Sequence, residues 1–134
     1  MNENEIATAI IGASLDIHRQ VGPGLFENVY ESILYIQLKE RGLKVKRQEP
    51  IPIRWQNLEI DEAYRADLIV EGKVIVEIKS IDRLTKVHEK QMFTYLRLSG
   101  LKLGLLLNFG QQLMKEGIRR IIDGHITQNE SLFR

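Results

Sequence analysis

Residues 65–79 read RADLIVEGKVIVEIK. Two apolar, β-branched runs flank Glu71-Gly72-Lys73, a pattern that predicts a β-hairpin. On the second strand Glu77 and Lys79 are two residues apart, so their side chains share one face of the sheet, and Val76 points to the other face. We therefore predict a hairpin with one ordinary apolar face and one charged face.

The length of the hairpin loop decides whether Asp67 joins the charged face. A three-residue loop pairs Val70 with Val74 and places Asp67 opposite Glu77, whereas a two-residue loop turns Asp67 away unless a β-bulge intervenes. The apolar residues of the two strands bury together only in the three-residue register or its bulged equivalent. We therefore predict that both carboxylates lie on one face.

Two carboxylates this close repel one another unless a cation lies between them. Oxygen ligands with a lysine beside them favour Mg²⁺ or Mn²⁺ over zinc. The ammonium of Lys79 is able to orient an attacking water and to offset charge on a phosphate. The alternative is an exposed edge hairpin on which Asp67, Glu77 and Lys79 form surface ion pairs, and the spacing alone leaves both interpretations open.

Length and composition indicate a globular domain. The chain has 134 residues, of which 43% are hydrophobic and 28% are charged, and this predicts one domain with one core. The absence of cysteine excludes thiolate nucleophiles and cysteine metal sites and favours a reducing compartment. An acidic start and the lack of a long apolar run predict a cytoplasmic protein without a signal peptide or a membrane span.

The net charge is +1, so the whole molecule is not a polycation, but its bases are clustered. Five bases and two acids lie between Lys79 and Arg97, and smaller basic clusters lie at residues 44–47 and 119–120. Such clusters are able to follow phosphates, although each one alone is typical of a solvated surface.

Helical and strand-like patterns alternate along the rest of the chain. The predicted elements are helices over about 4–20 and 25–41, an irregular edge strand over 49–55, the 65–79 hairpin, a helix over about 85–99, a buried strand over 101–108 and a final strand over 117–122. The helix that links the hairpin to the buried strand predicts a crossover between parallel strands. Residues 125–134 are expected to form a polar, frayed tail.

Glu27 is a third candidate acid. It lies in the first turn of the second predicted helix, where the helix dipole alone favours an anion. Tyr30, three residues later, belongs to the apolar stripe of that helix, so we expect Glu27 to lean towards the body of the protein and to need a partner. His18 is one candidate partner, although a lone histidine is more often a structural hydrogen-bonding group.

Gln91 and Tyr95 lie four residues apart on the helix that directly follows the Glu77 strand. They share one side of that helix and are therefore placed to reach over the charged face. The structural alternative is an amphipathic core helix with a polar edge.

The order of these elements, with Asp67 and a Glu77-x-Lys79 pair on adjacent strands, resembles the PD-(D/E)xK nuclease superfamily. More narrowly, residues 24–30, GLFENVY, reproduce the motif that names the GxxExxY protein family. The resemblance continues in order through YRAD at 64–67, EIK at 77–79, His88 to Gln91 and Tyr95, and LLLNFG at 105–110, and covers roughly residues 5–122.

The resemblance implies an α/β fold in a single domain over residues 1–124. Its core is restriction-endonuclease-like, with a mixed central sheet flanked by helices and two helices at the N-terminus. One departure is Ala66, which stands where the superfamily motif has a proline before the aspartate.

The resemblance also implies the roles of the site residues. Asp67 and Glu77 would bind Mg²⁺ or Mn²⁺, and Glu27 would complete the metal shell directly or through water. Lys79 would position the water. Gln91 and Tyr95 match a Q-x-x-x-Y element that is expected to orient the lysine, the scissile phosphate or the nearby backbone.

The implied function is Mg²⁺-dependent hydrolysis of phosphodiester bonds in DNA, in preference to RNA. The alternative is a catalytically silent nuclease-fold module that binds nucleic acid or a protein partner, and retention of all three acids and the lysine argues against it. With few loops to hold a duplex, we expect a homodimer or a subunit of a larger assembly. No appended sequence-reading domain is recognisable, so contacts through phosphates are expected, and no membrane contact is.

Overall fold

The computed structural model describes residues 1–124, and within them it confirms the predicted α/β class. In chain order the elements are α1 (Glu3–Val21), α2 (Glu27–Glu40), β1 (Val45–Trp55), β2 (Leu58–Val70), β3 (Val74–Lys79), α3 (Lys86–Ser99), β4 (Leu103–Asn108), a 3₁₀ turn (Met114–Gly117) and β5 (Ile118–Ile122). Both expected N-terminal helices are present. The predicted tail at 125–134 lies outside the described residues.

The five strands form one mixed sheet in the order β1-β2-β3-β4-β5. β3 and β4 are parallel and are joined by α3, whereas every other neighbouring pair is antiparallel. The predicted parallel crossover is therefore confirmed. β4 is buried at every residue, because it lies inside the sheet with both faces covered.

The start of α1 and the end of α2 coincide with capping residues in the sequence. Asn2 accepts a hydrogen bond from the backbone N–H of Glu5 (2.8 Å) at the start of α1, as a capping box requires. At the end of α2, Gly42 adopts a φ of +87° and the N–H of Leu43 donates to the Leu38 carbonyl (3.1 Å). This is a Schellman motif, and it places Gly42 one residue beyond the cap.

The β2–β3 hairpin has the predicted three-residue loop. Val70 pairs with Val74 and Leu68 with Val76, and the loop residues Glu71 and Gly72 both have positive φ. Because every apolar residue of one face is then buried together, the core selects this register over the two-residue alternative.

The expected single core is divided between the two faces of the sheet. One cluster lies under α1 and α2, and a second, which includes Ile69, Ile75, Met92 and Leu106, lies under α3. The prediction that this face of the hairpin is charged is therefore wrong over most of its length, because the face is apolar there and α3 covers it. The crossover helix must pack on one side of the sheet, and only the Asp67–Glu77 end of that face remains polar.

Candidate active site

Asp67 and Glu77 face each other at the point where β2 and β3 stop pairing. The last ladder pair is Leu68 with Val76. Beyond it, Glu77 Oε2 accepts a hydrogen bond from the backbone N–H of Asp67 (3.2 Å), and Asp67 Oδ2 accepts one from the backbone N–H of Ile78 (2.8 Å). The two carboxylates therefore replace the missing ladder bonds and are held side by side by the backbone itself.

Two further side chains, Tyr64 and Gln48, hold this pair. The Tyr64 hydroxyl donates to Glu77 Oε1, and the Tyr64 ring stacks on Tyr95 with centroids 3.5 Å apart. Gln48 Nε2 donates to Asp67 Oδ1 (3.3 Å). The sequence pattern alone indicated no role for Tyr64 or Gln48. Tyr64 lies inside the quoted YRAD motif, which was a usable signal, whereas nothing in the local pattern marks Gln48.

The close packing of the two acids changes the pKa of Glu77. Burial, together with the negative charge of Asp67, raises the pKa of Glu77 to about 8. Burial also raises the pKa of Tyr64 well above its usual range, with the charge of Glu77 adding to the effect. At neutral pH Glu77 therefore retains a proton, and a cation placed beside the pair would favour its charged form.

Glu77, Lys79, Gln91 and Tyr95 all line one small cavity of about 70 Å³. His88 also lines it, and Met92 and Leu106 supply apolar wall. Asp67 is not a lining residue, but it adjoins Glu77 through the hydrogen bonds described above.

Lys79 is half-buried. Within residues 1–124, no carboxylate oxygen lies within 4.0 Å of its ammonium. The lysine charge is therefore available to a ligand in the cavity.

Glu27 contacts the residue that directly follows Lys79. Its side chain is exposed, and its Oε2 accepts a hydrogen bond from the backbone N–H of Ser80 (3.2 Å). The Ser80 hydroxyl in turn donates to the Leu25 carbonyl (2.6 Å). Within residues 1–124, however, no three His, Asp or Glu side chains are grouped in a geometry that could hold a metal ion. Glu27 therefore stands near the acid pair without forming a compact three-acid cluster with it.

The suggested partnership between Glu27 and His18 is wrong. His18 is buried, and its Nε2 lies 2.8 Å from the Gln111 carbonyl. The segment after β4 passes directly against the end of α1, so it reaches the imidazole, while Glu27 is bonded to Ser80 instead.

Tyr30 accounts for the position of Glu27. It is fully buried and stacks on Phe109 with ring centroids 4.4 Å apart. Its hydroxyl donates to the Gly22 carbonyl (2.6 Å) and accepts from the N–H of Leu25 (3.2 Å). The tyrosine of the GLFENVY segment thus holds the turn at Gly22–Leu25 that precedes the glutamate.

Asn108 anchors the chain immediately after Lys79. It is fully buried, its Oδ1 accepts from the N–H of Ile81 (3.0 Å), and its Nδ2 donates to the Ile81 carbonyl (3.0 Å). The next residue, Phe109, donates its N–H to the Lys79 carbonyl (2.8 Å). The NFG part of the LLLNFG segment therefore fixes the end of β3, on which the site is built.

The three basic clusters differ in how they are used. In the cluster at residues 44–47, Lys46 and Arg47 form ion pairs with acids. In the cluster at residues 119–120, Arg119 donates to two backbone carbonyls. By contrast, none of the five bases from Lys79 to Arg97 forms an ion pair with a residue in the described part of the chain. This cluster includes Lys79, which lines the cavity.

Fold and site together define a class of protein. A mixed five-stranded sheet preceded by two helices is consistent with a restriction-endonuclease-like fold, and the Asp…Glu-x-Lys set lies on two adjacent strands, just beyond the last pair of their ladder. A family model described as the PD-(D/E)XK nuclease superfamily matches residues 4–121. The chain belongs to the PD-(D/E)XK nuclease superfamily, whose nucleases generally depend on a divalent metal ion.

Neither a curated protein nor a solved structure matched the chain. No helix in the described residues is both long enough and apolar enough to cross a membrane.

Proposed function

We propose that this protein is a Mg²⁺- or Mn²⁺-dependent nuclease of the GxxExxY family that hydrolyses DNA in preference to RNA. The observation that carries the proposal is the hydrogen-bonded pair of Asp67 and Glu77 beside the ammonium of Lys79, which forms no ion pair within residues 1–124. The match to the nuclease superfamily supports the same class of reaction.

The donor set fits a hard divalent cation. Asp67 and Glu77 offer carboxylate oxygens, the ligands that Mg²⁺ and Mn²⁺ prefer. The raised pKa of Glu77 shows that the pair does not readily hold two negative charges without a cation. Glu27 would complete the metal shell directly or through water, since the hydrogen bond from Ser80 occupies one of its two carboxylate oxygens. A bound ion would supply Lewis acidity towards the phosphate.

The remaining site residues act on water and phosphate. Lys79 orients the attacking water and offsets charge that develops on the phosphate, because its ammonium has no competing carboxylate within the described part of the chain. Gln91 supplies an amide at the cavity mouth. Tyr95, held by stacking on Tyr64, closes the wall next to Glu77.

The substrate is proposed to be nucleic acid held through its phosphates. The bases from Lys79 to Arg97 outnumber the acids among them, form no ion pair within residues 1–124 and include Lys79, which lines the cavity, so we expect them to follow a sugar–phosphate backbone. We expect a homodimer or a subunit of a larger assembly, since one sheet with short loops offers little surface to grip a duplex. The cysteine-free sequence favours a cytoplasmic location.

Calorimetric titration with Mg²⁺ and Mn²⁺ tests the metal site, on the wild type and on Asp67→Asn and Glu77→Gln. A parallel assay follows cleavage of a panel of single-stranded, duplex and branched DNA and of RNA. Lys79→Met should abolish cutting without loss of fold, and the exposed Lys102 provides the matched control, Lys102→Met. Absence of metal binding at millimolar concentration, or cleavage that survives Lys79→Met, would contradict the proposal.

A second candidate is a silent module that binds nucleic acid without cutting it. The observation that favours it is the lack of a compact three-acid cluster within residues 1–124. Tight, salt-sensitive binding of DNA by a wild-type protein that neither binds divalent ions nor cuts would establish this function instead.

A further inference from the structure

His88 is the third residue of α3, three positions after the N-cap residue Thr85. Its Nδ1 accepts a hydrogen bond from the backbone N–H of Thr85 (3.0 Å). This is the returning half of a capping box, in which a histidine takes the place usually held by glutamate or glutamine. Nδ1 of His88 therefore has a structural role as part of the helix cap.

That hydrogen bond determines the tautomer of the ring. A backbone N–H can only donate, so Nδ1 must carry the lone pair, and the neutral imidazole then carries its proton on Nε2. Within residues 1–124, Nε2 has no hydrogen-bonding partner. The cap thus leaves an N–H donor on the opposite edge of the ring.

The ring lines the same cavity as Glu77, Lys79 and Gln91. A histidine that ligates a metal uses a lone pair and usually donates its other N–H to an acceptor. His88 has the reverse arrangement, because its other nitrogen accepts. The geometry therefore favours an anion over a metal ion as the partner of Nε2.

We propose that His88 is a substrate-binding residue that donates from Nε2 to a phosphate oxygen of the nucleic acid. The proposal rests on the nuclease function proposed above and adds to it a phosphate contact from the first turn of α3. Lys79 and His88 would then contact the substrate from β3 and α3 respectively, so that the phosphate is held between the sheet and the helix.

The first test is spectroscopic and needs no activity. Long-range ¹H–¹⁵N spectra of the full chain at neutral pH distinguish the two tautomers, and His88→Gln assigns the ring among the three histidines. A lone pair on Nδ1 and a proton on Nε2 are expected. A lone pair on Nε2 would overturn the proposal.

The second test compares two variants in binding a DNA oligonucleotide in EDTA, where cleavage is suppressed. Glutamine at this helix position can still accept from the Thr85 N–H, so His88→Gln keeps the cap, whereas His88→Ala removes it. Both variants should bind the oligonucleotide about tenfold more weakly than wild type, while only His88→Ala should lose thermal stability. Mg²⁺ affinity measured by calorimetry should be unchanged in His88→Gln.

The outcomes separate this proposal from the nuclease function. If wild type binds and cuts DNA and His88→Gln binds it equally well, only the role of His88 is wrong. A loss of Mg²⁺ affinity in His88→Gln would make the residue a metal ligand and likewise overturn the proposal. If wild type neither binds nor cuts DNA in the presence of Mg²⁺, both proposals fall.

Discussion

The carboxylate of Glu77 accepts a hydrogen bond from the backbone of Asp67, and the carboxylate of Asp67 accepts one from the residue that follows Glu77. The two strands thus exchange side-chain bonds where their ladder ends. The acid pair is consequently built by the hairpin before any cation arrives, at the cost of placing two carboxylates in contact.

The first prediction concerns pH. The pKa of Glu77 is raised from its usual 4.5 to about 8, so between these values the folded protein keeps a proton that the unfolded chain has lost. The contribution of this proton to the free energy of unfolding is full below about pH 4.5. It declines as pH rises, by up to about 1.4 kcal/mol per pH unit. Urea unfolding of wild type and Glu77→Gln from pH 5 to 8, without divalent ions, should show this slope only in wild type.

Addition of Mg²⁺ provides the control for that slope. A cation beside the pair favours charged Glu77, so it should flatten the pH dependence of wild type and leave Glu77→Gln unaltered. Equal slopes for the two proteins in the absence of metal would mean that Glu77 is ionised throughout this range.

The second prediction concerns Tyr64, whose hydroxyl donates to Glu77. Tyr64→Phe keeps the ring that stacks on Tyr95 but leaves one carboxylate oxygen without its donor. We expect a loss of about 1 kcal/mol in the free energy of unfolding and a fall in kcat of roughly tenfold or more with little change in KM, because Glu77 is no longer held in one orientation. Steady-state cleavage kinetics measure kcat and KM, and urea unfolding measures the change in stability.

Tyr35 offers the matched control for this variant, since within residues 1–124 its hydroxyl makes one exposed hydrogen bond, which it accepts from Lys39. Tyr35→Phe should leave both kcat and stability near wild type. A similar loss in both variants would remove the special role assigned to the Tyr64 hydroxyl.

The third prediction concerns Gly110, which packs against the chain just after Lys79. A Cβ there would lie 2.2 Å from the Ile81 carbonyl oxygen, so the backbone must move to admit it. Gly110→Ala should lower the free energy of unfolding by roughly 2–3 kcal/mol and reduce cleavage, because the end of β3 shifts. Thermal and urea unfolding provide the measurement.

Gly12 supplies the opposite case for comparison. It lies inside α1, and a Cβ there would meet only the Arg41 guanidinium at an ordinary 3.6 Å. Gly12→Ala should therefore stabilise the protein by about 0.5–1 kcal/mol. Equal changes in the free energy of unfolding at the two glycines would show that the close approach of Gly110 to Ile81 does not affect stability.

The fourth prediction concerns salt. If Arg83, Lys86 and Lys90 contact phosphates, replacing all three with glutamine should lower the slope of log Kd against log salt by roughly 2–3, because each lost contact removes about 0.7–0.9. Fluorescence anisotropy with a labelled oligonucleotide across a salt series measures this slope. The same substitution at Lys44 and Lys46, which lie in the basic cluster at residues 44–47, should change this slope by less than one.

Part of this architecture follows from local pattern. The hairpin register was predictable because only one pairing buries all the apolar residues of a face, and the helix ends followed from Gly42 and Gly100, whose positive φ is typical of helix termini. The position of Gln91 and Tyr95 predicted that α3 reaches over the supposed charged face, but how far it buries the face was not predictable, because Ile69 and Ile75 alternate correctly for either a solvated or a buried strand. Only the position of α3 distinguishes the two.

The sequence by itself determined which acids share a hairpin, where the loop falls and which helix follows it, since these depend on the periodicity of neighbouring residues. Only the tertiary structure decided that Tyr64 holds Glu77, that Glu27 bonds to Ser80 and that His18 bonds to Gln111. These contacts join residues 13, 53 and 93 positions apart. No local propensity encodes such pairings, because they arise only when the sheet and helices have packed and each buried polar group must find a partner.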